Sequence, residues 1–97
     1  MTVTREAVIG AAVGLHARPA SRFVQEVQAL GLPVSISAPG RPAVDARSLL
    51  SVLTLGVAHG ETVELAVDSA PEDAERAAAA LDRLVELLAV DHDAPEA

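Results

Sequence analysis

The chain has 97 residues, of which 51% are hydrophobic, and a formal net charge of −7. This length suits one domain with a modest core, and the apolar content argues against disorder. The absence of cysteine excludes disulfide and thiol chemistry, while the negative charge and single aromatic residue argue against nucleic-acid binding. Because no stretch reads as a membrane span or a signal peptide, we expect a cytoplasmic protein without membrane insertion.

The first half of the chain predicts a strand, a helix and a hairpin. β-Branched residues predict a first strand over residues 2–9. After a loop of small residues, apolar positions at helical spacing predict a helix over residues 17–30 that stops at Gly31. Alternation then predicts a strand over residues 33–38, and a Pro-Gly turn returns the chain as a short edge strand over residues 42–45.

The second half predicts a short helix, a strand and a long helix. Ser48 is the predicted N-cap of a short helix that ends at Gly56, and residues 61–67 alternate as a strand. The spacing of Ser69 and Glu72 predicts a capping box at the start of the third helix. The predicted buried face of that helix contains Ala74, Ala77, Ala78, Leu81, Leu84, Val85 and Leu88.

The element order β-α-β-β-α-β-α indicates an α+β fold. Strands with one apolar face need a cover, and the helices supply it, which predicts an open-faced β-sandwich. Periodicity alone leaves a ferredoxin-like arrangement open. We expect one domain over residues 1–88 and an acidic, disordered tail over residues 89–97.

His16 stands where an extended segment turns into the first predicted helix. The first N–H groups of a helix and its dipole make this end an anion site, and Arg18 adds a guanidinium suited to phosphate oxygens. No acidic residue lies between Glu6 and Glu26, so a neutral imidazole with a nucleophilic lone pair is expected. These features favour a histidine that carries a phosphoryl group; the alternative is an ordinary cap or loop histidine.

The charges are unevenly distributed. Residues 61–97 hold eleven acidic residues and two arginines, whereas residues 1–60 hold three acidic residues and five arginines. Arg18, Arg22 and Arg47 are expected to form a positive patch that steers an acidic partner. We therefore assign Arg22 and Arg47 to partner docking.

The second helix predicts a docking surface. At about 100° per residue, Val52 and Leu55 share one side, and Leu49, Leu50 and Leu53 lie on another. One short helix in a small domain rarely buries both sides, so the second group is the expected docking surface. The alternative is that these leucines close one edge of the core.

Residues 14–20, Gly-Leu-His-Ala-Arg-Pro-Ala, resemble the active-site signature of the HPr family. This family comprises the histidine phosphocarriers of the bacterial phosphoenolpyruvate-dependent sugar phosphotransferase system. Residues 47–56 resemble the regulatory-serine segment of the same family, and the resemblance spans roughly residues 3–88. It implies the HPr-like fold, with antiparallel strand order 1-4-2-3 and three helices on one face of the sheet.

The resemblance also implies roles for single residues. His16 would accept a phosphoryl group at Nδ1 from phospho-Enzyme I and pass it to sugar-specific A-type acceptor proteins, while Arg18 and the amide near Ala17 would hold the group. Leucines of the second helix would dock these partners, and Ser48 matches a serine modified by an HPr kinase/phosphorylase in some bacteria. The protein would then be a monomeric, stoichiometric carrier rather than an enzyme, without metal or other cofactor. The matched docking leucines are Leu49, Leu50 and Leu53.

Some positions depart from the family pattern. Val13 stands where many members carry a polar residue, and Gln25 and Gln28 stand where some have lysines. Ser51 replaces a glycine common in serine-regulated members. Ser48 is therefore interpreted first as an ordinary helix cap and second as a regulatory site.

Two other functions remain as alternatives. One is an HPr-like regulatory paralogue in a nitrogen-type or dihydroxyacetone-type phosphotransfer branch, which only its partners would distinguish. The other is metal binding by His16, His59 and His92, whose spacings match no known ligand pattern.

Overall fold

The structure, a computed structural model, describes residues 1–12 and 14–90. Of the predicted tail over residues 89–97, Ala89 belongs to the last helix, and residues 91–97 lie outside the described residues, as does the departure at Val13. The strands are β1 (Thr2–Val8), β2 (Ser35–Ser37), β3 (Val44–Asp45) and β4 (Thr62–Asp68). The α-helices are α1 (Ala17–Leu30), α2 (Leu49–Leu53) and α3 (Ala74–Ala89).

The four strands form one open antiparallel sheet in the order β1-β4-β2-β3. Val3 lies opposite Val67, and Ile36 lies opposite Leu65, so apolar side chains meet across neighbouring strands on the inner face. The predicted strand order and sheet type are confirmed.

The helices cover this inner face with one apolar stripe each. Phe23 of α1 and Leu81 and Leu84 of α3 are fully buried in the same core as the inward residues of the strands. The fourteen-residue α1 ends at Gly31, which adopts the left-handed conformation (φ 70°) and donates its N–H to the carbonyls of Val27 and Gln28. The predicted bounds of α1 are confirmed. They place the start of this helix at one end of the sandwich.

The predicted capping box at Ser69 is wrong. Ser69 N–H donates to Met1 O at 2.9 Å, which continues the pairing of β1 with β4 one residue beyond the strand ends. Its hydroxyl donates to Ala70 O, and the helical turn starts only with a 3₁₀ segment at Pro71–Asp73. Because Pro71 lacks an N–H and has a fixed φ, it suits the first helical position and sets the start there.

Candidate functional site

His16 is the N-cap of α1. Its backbone is extended (φ −90°, ψ −169°), and its carbonyl accepts the N–H of Ala20 at 2.8 Å. The side chain is exposed and makes no capping hydrogen bond within the described part of the chain. The predicted location of this histidine at a helix start is therefore confirmed.

The first turn of α1 offers two backbone N–H groups next to His16 as donors to an anion. Pro19 has none, and the N–H of Ala20 donates to His16 O, so the N–H groups ahead of it are those of Ala17 and Arg18. This turn contains no acidic residue, and Ala17 and Arg18 are exposed. The positive end of the helix dipole therefore lies beside the imidazole without a compensating carboxylate on the same turn, which suits an anion.

A tight backbone crossing fixes the segment before His16. Gly14 has φ 77°, and a Cβ atom at this position would lie only 2.7 Å from Val57 O. Leu15 N–H donates to the same carbonyl at 2.9 Å, and the Leu15 side chain is buried. The glycine is thus required both for its conformation and for the close approach of the turn that precedes β4.

A shallow cavity of about 350 Å³ adjoins His16. His59 lines the same cavity, although the sequence placed it only in the metal-binding alternative. Its Nδ1 lies 3.1 Å from Ala11 O, a contact between residues 48 positions apart that no local pattern could have indicated. The full lining is Ala12, Leu15, His16, Leu53, Gly56, Val57, Ala58 and His59.

The arginines differ in their surroundings. Arg18 and Arg22 are exposed on α1. Arg47 pairs with Asp45 through Nε–Oδ1 and Nη2–Oδ2 distances of 3.0 and 3.1 Å. The side-chain hydrogen bond from Arg47 holds the pKa of Asp45 below its ordinary value of 3.8 and raises the pKa of Arg47. The adjacent carboxylate balances the Arg47 charge, so Arg47 contributes less to a positive patch than the sequence suggested.

Arg41 is a cation that the sequence analysis left without a role. It donates to the carbonyls of Leu55 and Thr54 at the end of α2. A cation at this end of a helix complements the partial negative charge of its last carbonyls.

The apolar residues of α2 and the turn after it divide into a buried and a more exposed group, as predicted. Val52 and Leu55 are buried, whereas Leu50 is 76% exposed and Leu49 is 37% exposed. Leu53 is half-buried, packs against the core and lines the His16 cavity. An apolar surface thus adjoins the exposed imidazole, and we call Leu49, Leu50 and Leu53 the leucine surface.

Ser48 caps α2. Its Oγ accepts the N–H of Ser51 at 3.3 Å, which confirms the predicted cap. The side-chain amide of Gln28 on α1 donates to Arg47 O, next to Ser48, at 2.9 Å.

The structure also bears on metal binding and membrane insertion. Across residues 1–12 and 14–90, no group of three or more His, Cys, Asp or Glu residues is arranged to hold a metal ion. His16 and His59 share a cavity, and His92 lies outside the described residues. No helix in the described ranges combines the length and apolar character needed to cross a bilayer.

Comparisons with known proteins agree with this geometry. The family model described as "PTS HPr component phosphorylation site" matches residues 3–89. The chain belongs to the HPr family. The resemblance of the chain to this family is therefore confirmed, and His16 lies within the matched range.

Relatives from several bacteria show the same family over most of their length. The phosphocarrier protein HPr of Streptomyces coelicolor is 48% identical over 85 residues, which cover 88% of this chain and 86% of that protein. The phosphocarrier protein HPr of Borreliella burgdorferi is 37% identical over 84 residues, covering 87% and 94%. The crystal structure of HPr from Bacillus anthracis superposes with a TM-score of 0.75 at 28% identity, covering 90% of this chain and 96% of that one.

Proposed function

We propose that the protein is a cytoplasmic, monomeric phosphocarrier that accepts a phosphoryl group on His16 Nδ1 from phospho-Enzyme I and delivers it to sugar-specific A-type acceptor proteins. The observation that supports this most strongly is the exposed His16 side chain at the start of α1, within the family signature. The carrier is consumed and regenerated in each cycle, so it acts stoichiometrically rather than as an enzyme.

The chemistry is an in-line phosphoryl transfer. The lone pair of His16 Nδ1 attacks phosphorus while the bond between phosphorus and the donor protein breaks, so the group moves without an added co-reactant. The guanidinium of Arg18 and the amide of Ala17 are the donors proposed for the phosphoryl oxygens. The helix end contributes about 1–2 kcal/mol to holding the anion, a modest amount that suits a group that must be passed on.

The leucine surface is the proposed docking site for both partners. Leu50 is its most exposed member, and Leu53 connects this surface to the cavity beside His16. A partner that covers the leucines would thus bring its own reactive group close to the imidazole. We expect small, short-lived interfaces, about 1,200 Å² or less, with Arg22 at the rim and Arg47 contributing less because Asp45 balances its charge.

Ser48 is the proposed regulatory residue. A phosphate on its hydroxyl would lie at the start of α2, directly before Leu49 and Leu50. About two negative charges next to the leucine surface would disfavour an apolar partner. Ser48→Asp should weaken binding to Enzyme I, and unchanged binding would show that Ser48 is not a charge switch.

A labelling experiment tests the proposal. Purified protein, Enzyme I and phosphoenolpyruvate labelled with ³²P should give an acid-labile phosphoprotein, because phosphate on histidine nitrogen hydrolyses in acid. His16→Ala should take no label while keeping its fold, since the exposed ring makes no capping hydrogen bond in the described chain. Label that is acid-stable, or that persists in His16→Ala, would contradict the proposal.

The onward step separates sugar transport from a regulatory branch. Addition of an A-type acceptor should drain the label from the wild-type phosphoprotein. A phosphoprotein that forms but retains its label with every A-type acceptor tested would favour the regulatory branch.

A further inference from the structure

His59 contacts the loop that leads to His16. It lies in the turn over residues 57–60 between α2 and β4, and its Nδ1 is 3.1 Å from Ala11 O. A carbonyl oxygen only accepts hydrogen bonds, so Nδ1 must carry the proton in this contact. The neutral ring is therefore held in the Nδ1–H tautomer, and a protonated ring would keep the same hydrogen bond.

The turn over residues 57–60 contacts the loop before His16 at two points. Besides the His59 contact with Ala11, Val57 O accepts the N–H of Leu15 at 2.9 Å. Between these points, Gly14 N–H donates to Ala11 O at 2.9 Å, so this one carbonyl accepts from the loop and from His59. His59 thus supplies a side-chain tie across the segment that ends at His16.

The turn is itself well anchored. Gly60 N–H donates to Ile9 O at 2.8 Å, and Ala58 N–H donates to the Glu61 carboxylate at 2.8 Å. Because Ile9 directly follows β1, we expect this hydrogen bond to fix the turn, so that the His59 contact restrains the loop.

We propose that His59 is a positioning residue for phosphoryl transfer, which restrains the backbone at Ala11, Gly14 and Leu15 and so aligns the His16 ring. This inference rests on the proposed function, in which His16 accepts the group. In-line attack needs the nucleophile held within narrow limits of distance and angle, so a looser loop slows the transfer without removing the acceptor.

Three variants separate the hydrogen bond from the bulk of the ring. His59→Leu removes the donor while keeping an apolar side chain of moderate size. His59→Asn restores an N–H donor on the atom attached to Cγ, where histidine carries Nδ1. The control, Thr2→Val, removes the hydrogen bond from Thr2 Oγ1 to Asp68 at the opposite end of β1.

The readout is the rate at which each variant accepts label from phospho-Enzyme I. His59→Leu should be about three- to tenfold slower, the range expected for the loss of one ordinary hydrogen bond, and His59→Asn should recover to within about twofold of wild type. Thr2→Val should transfer at the wild-type rate. A wild-type rate in His59→Leu, or an equally slow rate in His59→Asn, would overturn the positioning role.

A second measurement keeps the two proposals distinct. ¹⁵N chemical shifts of the neutral His59 ring should report the Nδ1–H tautomer, and the Gly14 and Leu15 amides should exchange faster with solvent in His59→Leu. The opposite tautomer, or unchanged exchange, would refute the tie. A wild-type protein that takes no label would refute the proposed function, even with the Nδ1–H tautomer present.

Discussion

Gly14 lies at a tight backbone crossing close to His16, and its replacement by alanine should cost stability for two separable reasons. Its φ of 77° is left-handed, which costs a residue with a Cβ atom about 1–2 kcal/mol. The new Cβ would also lie 2.7 Å from Val57 O and 3.1 Å from Ala58 Cα. These are backbone atoms, so relieving the contact moves the turn and adds about 1–3 kcal/mol.

Gly40 provides a matched control for this substitution. Its φ is 76°, but among the described residues no heavy atom lies within 4 Å of a Cβ built there. Gly40→Ala should therefore lose only the conformational part, about 1–2 kcal/mol, and Gly14→Ala about 2–5 kcal/mol in total.

Urea and thermal denaturation followed by circular dichroism measure both losses. For a domain of this size, each 1 kcal/mol lowers the melting temperature by about 4–8 °C, so the two variants are readily resolved. Equal losses at the two glycines would show that the crossing over Val57 is not tight, and would refute the reasoning about how the loop is held.

Three further predictions concern the surface around the site. Leu50→Ala should weaken the binding of Enzyme I in a titration, while its free energy of unfolding stays within about 0.5 kcal/mol of wild type. The control Val8→Ala, at another exposed apolar residue, should leave this binding unchanged. Equal binding of the two variants would argue against the leucine surface. Arg47 lowers the pKa of Asp45, so the ion pair stabilises the fold at pH values above the ordinary pKa of the carboxyl. This stabilisation is lost as the pH falls through the lowered pKa. Arg47→Gln should shift the Asp45 titration midpoint upward by NMR, and an unmoved midpoint would contradict the pairing. Ser48→Ala should lower unfolding free energy by about 1 kcal/mol and Ser48→Thr by less, whereas equal losses would exclude the cap.

Local signals explain why the first helix could be predicted closely. The apolar spacing behind His16, Pro19 in the first turn and Gly31 at the end all act within a few residues, and the observed helix has the predicted bounds. The same holds for the cap at Ser48 and for the two sides of α2.

Long-range pairing explains what the residue pattern alone missed. The strand order came from the family resemblance, because alternation shows which side chains face inward but not which strands are neighbours. The capping box failed because Ser69 pairs with Met1 one residue beyond the strand ends, a contact across 68 positions. The tie from His59 to Ala11 is equally invisible to a local pattern.

The pairing of Asp45 with Arg47 is different, since the two residues are only two positions apart. The sequence shows these opposite charges two positions apart, and an ion pair between them predicts a smaller contribution of Arg47 to the positive patch. The charge of a surface patch therefore depends more on the near neighbours of each charged residue than on the net charge of a long segment.

His16 is proposed to carry the phosphoryl group on Nδ1. The exposed imidazole of His59 lines the same cavity, so a decisive measurement must distinguish the two rings. Protein labelled with ¹⁵N in its histidines, phosphorylated with Enzyme I and phosphoenolpyruvate, can be examined by NMR for coupling between phosphorus and ring nitrogen. We expect coupling to His16 Nδ1 alone. Coupling to a nitrogen of His59, or to Nε2 of His16, would contradict it.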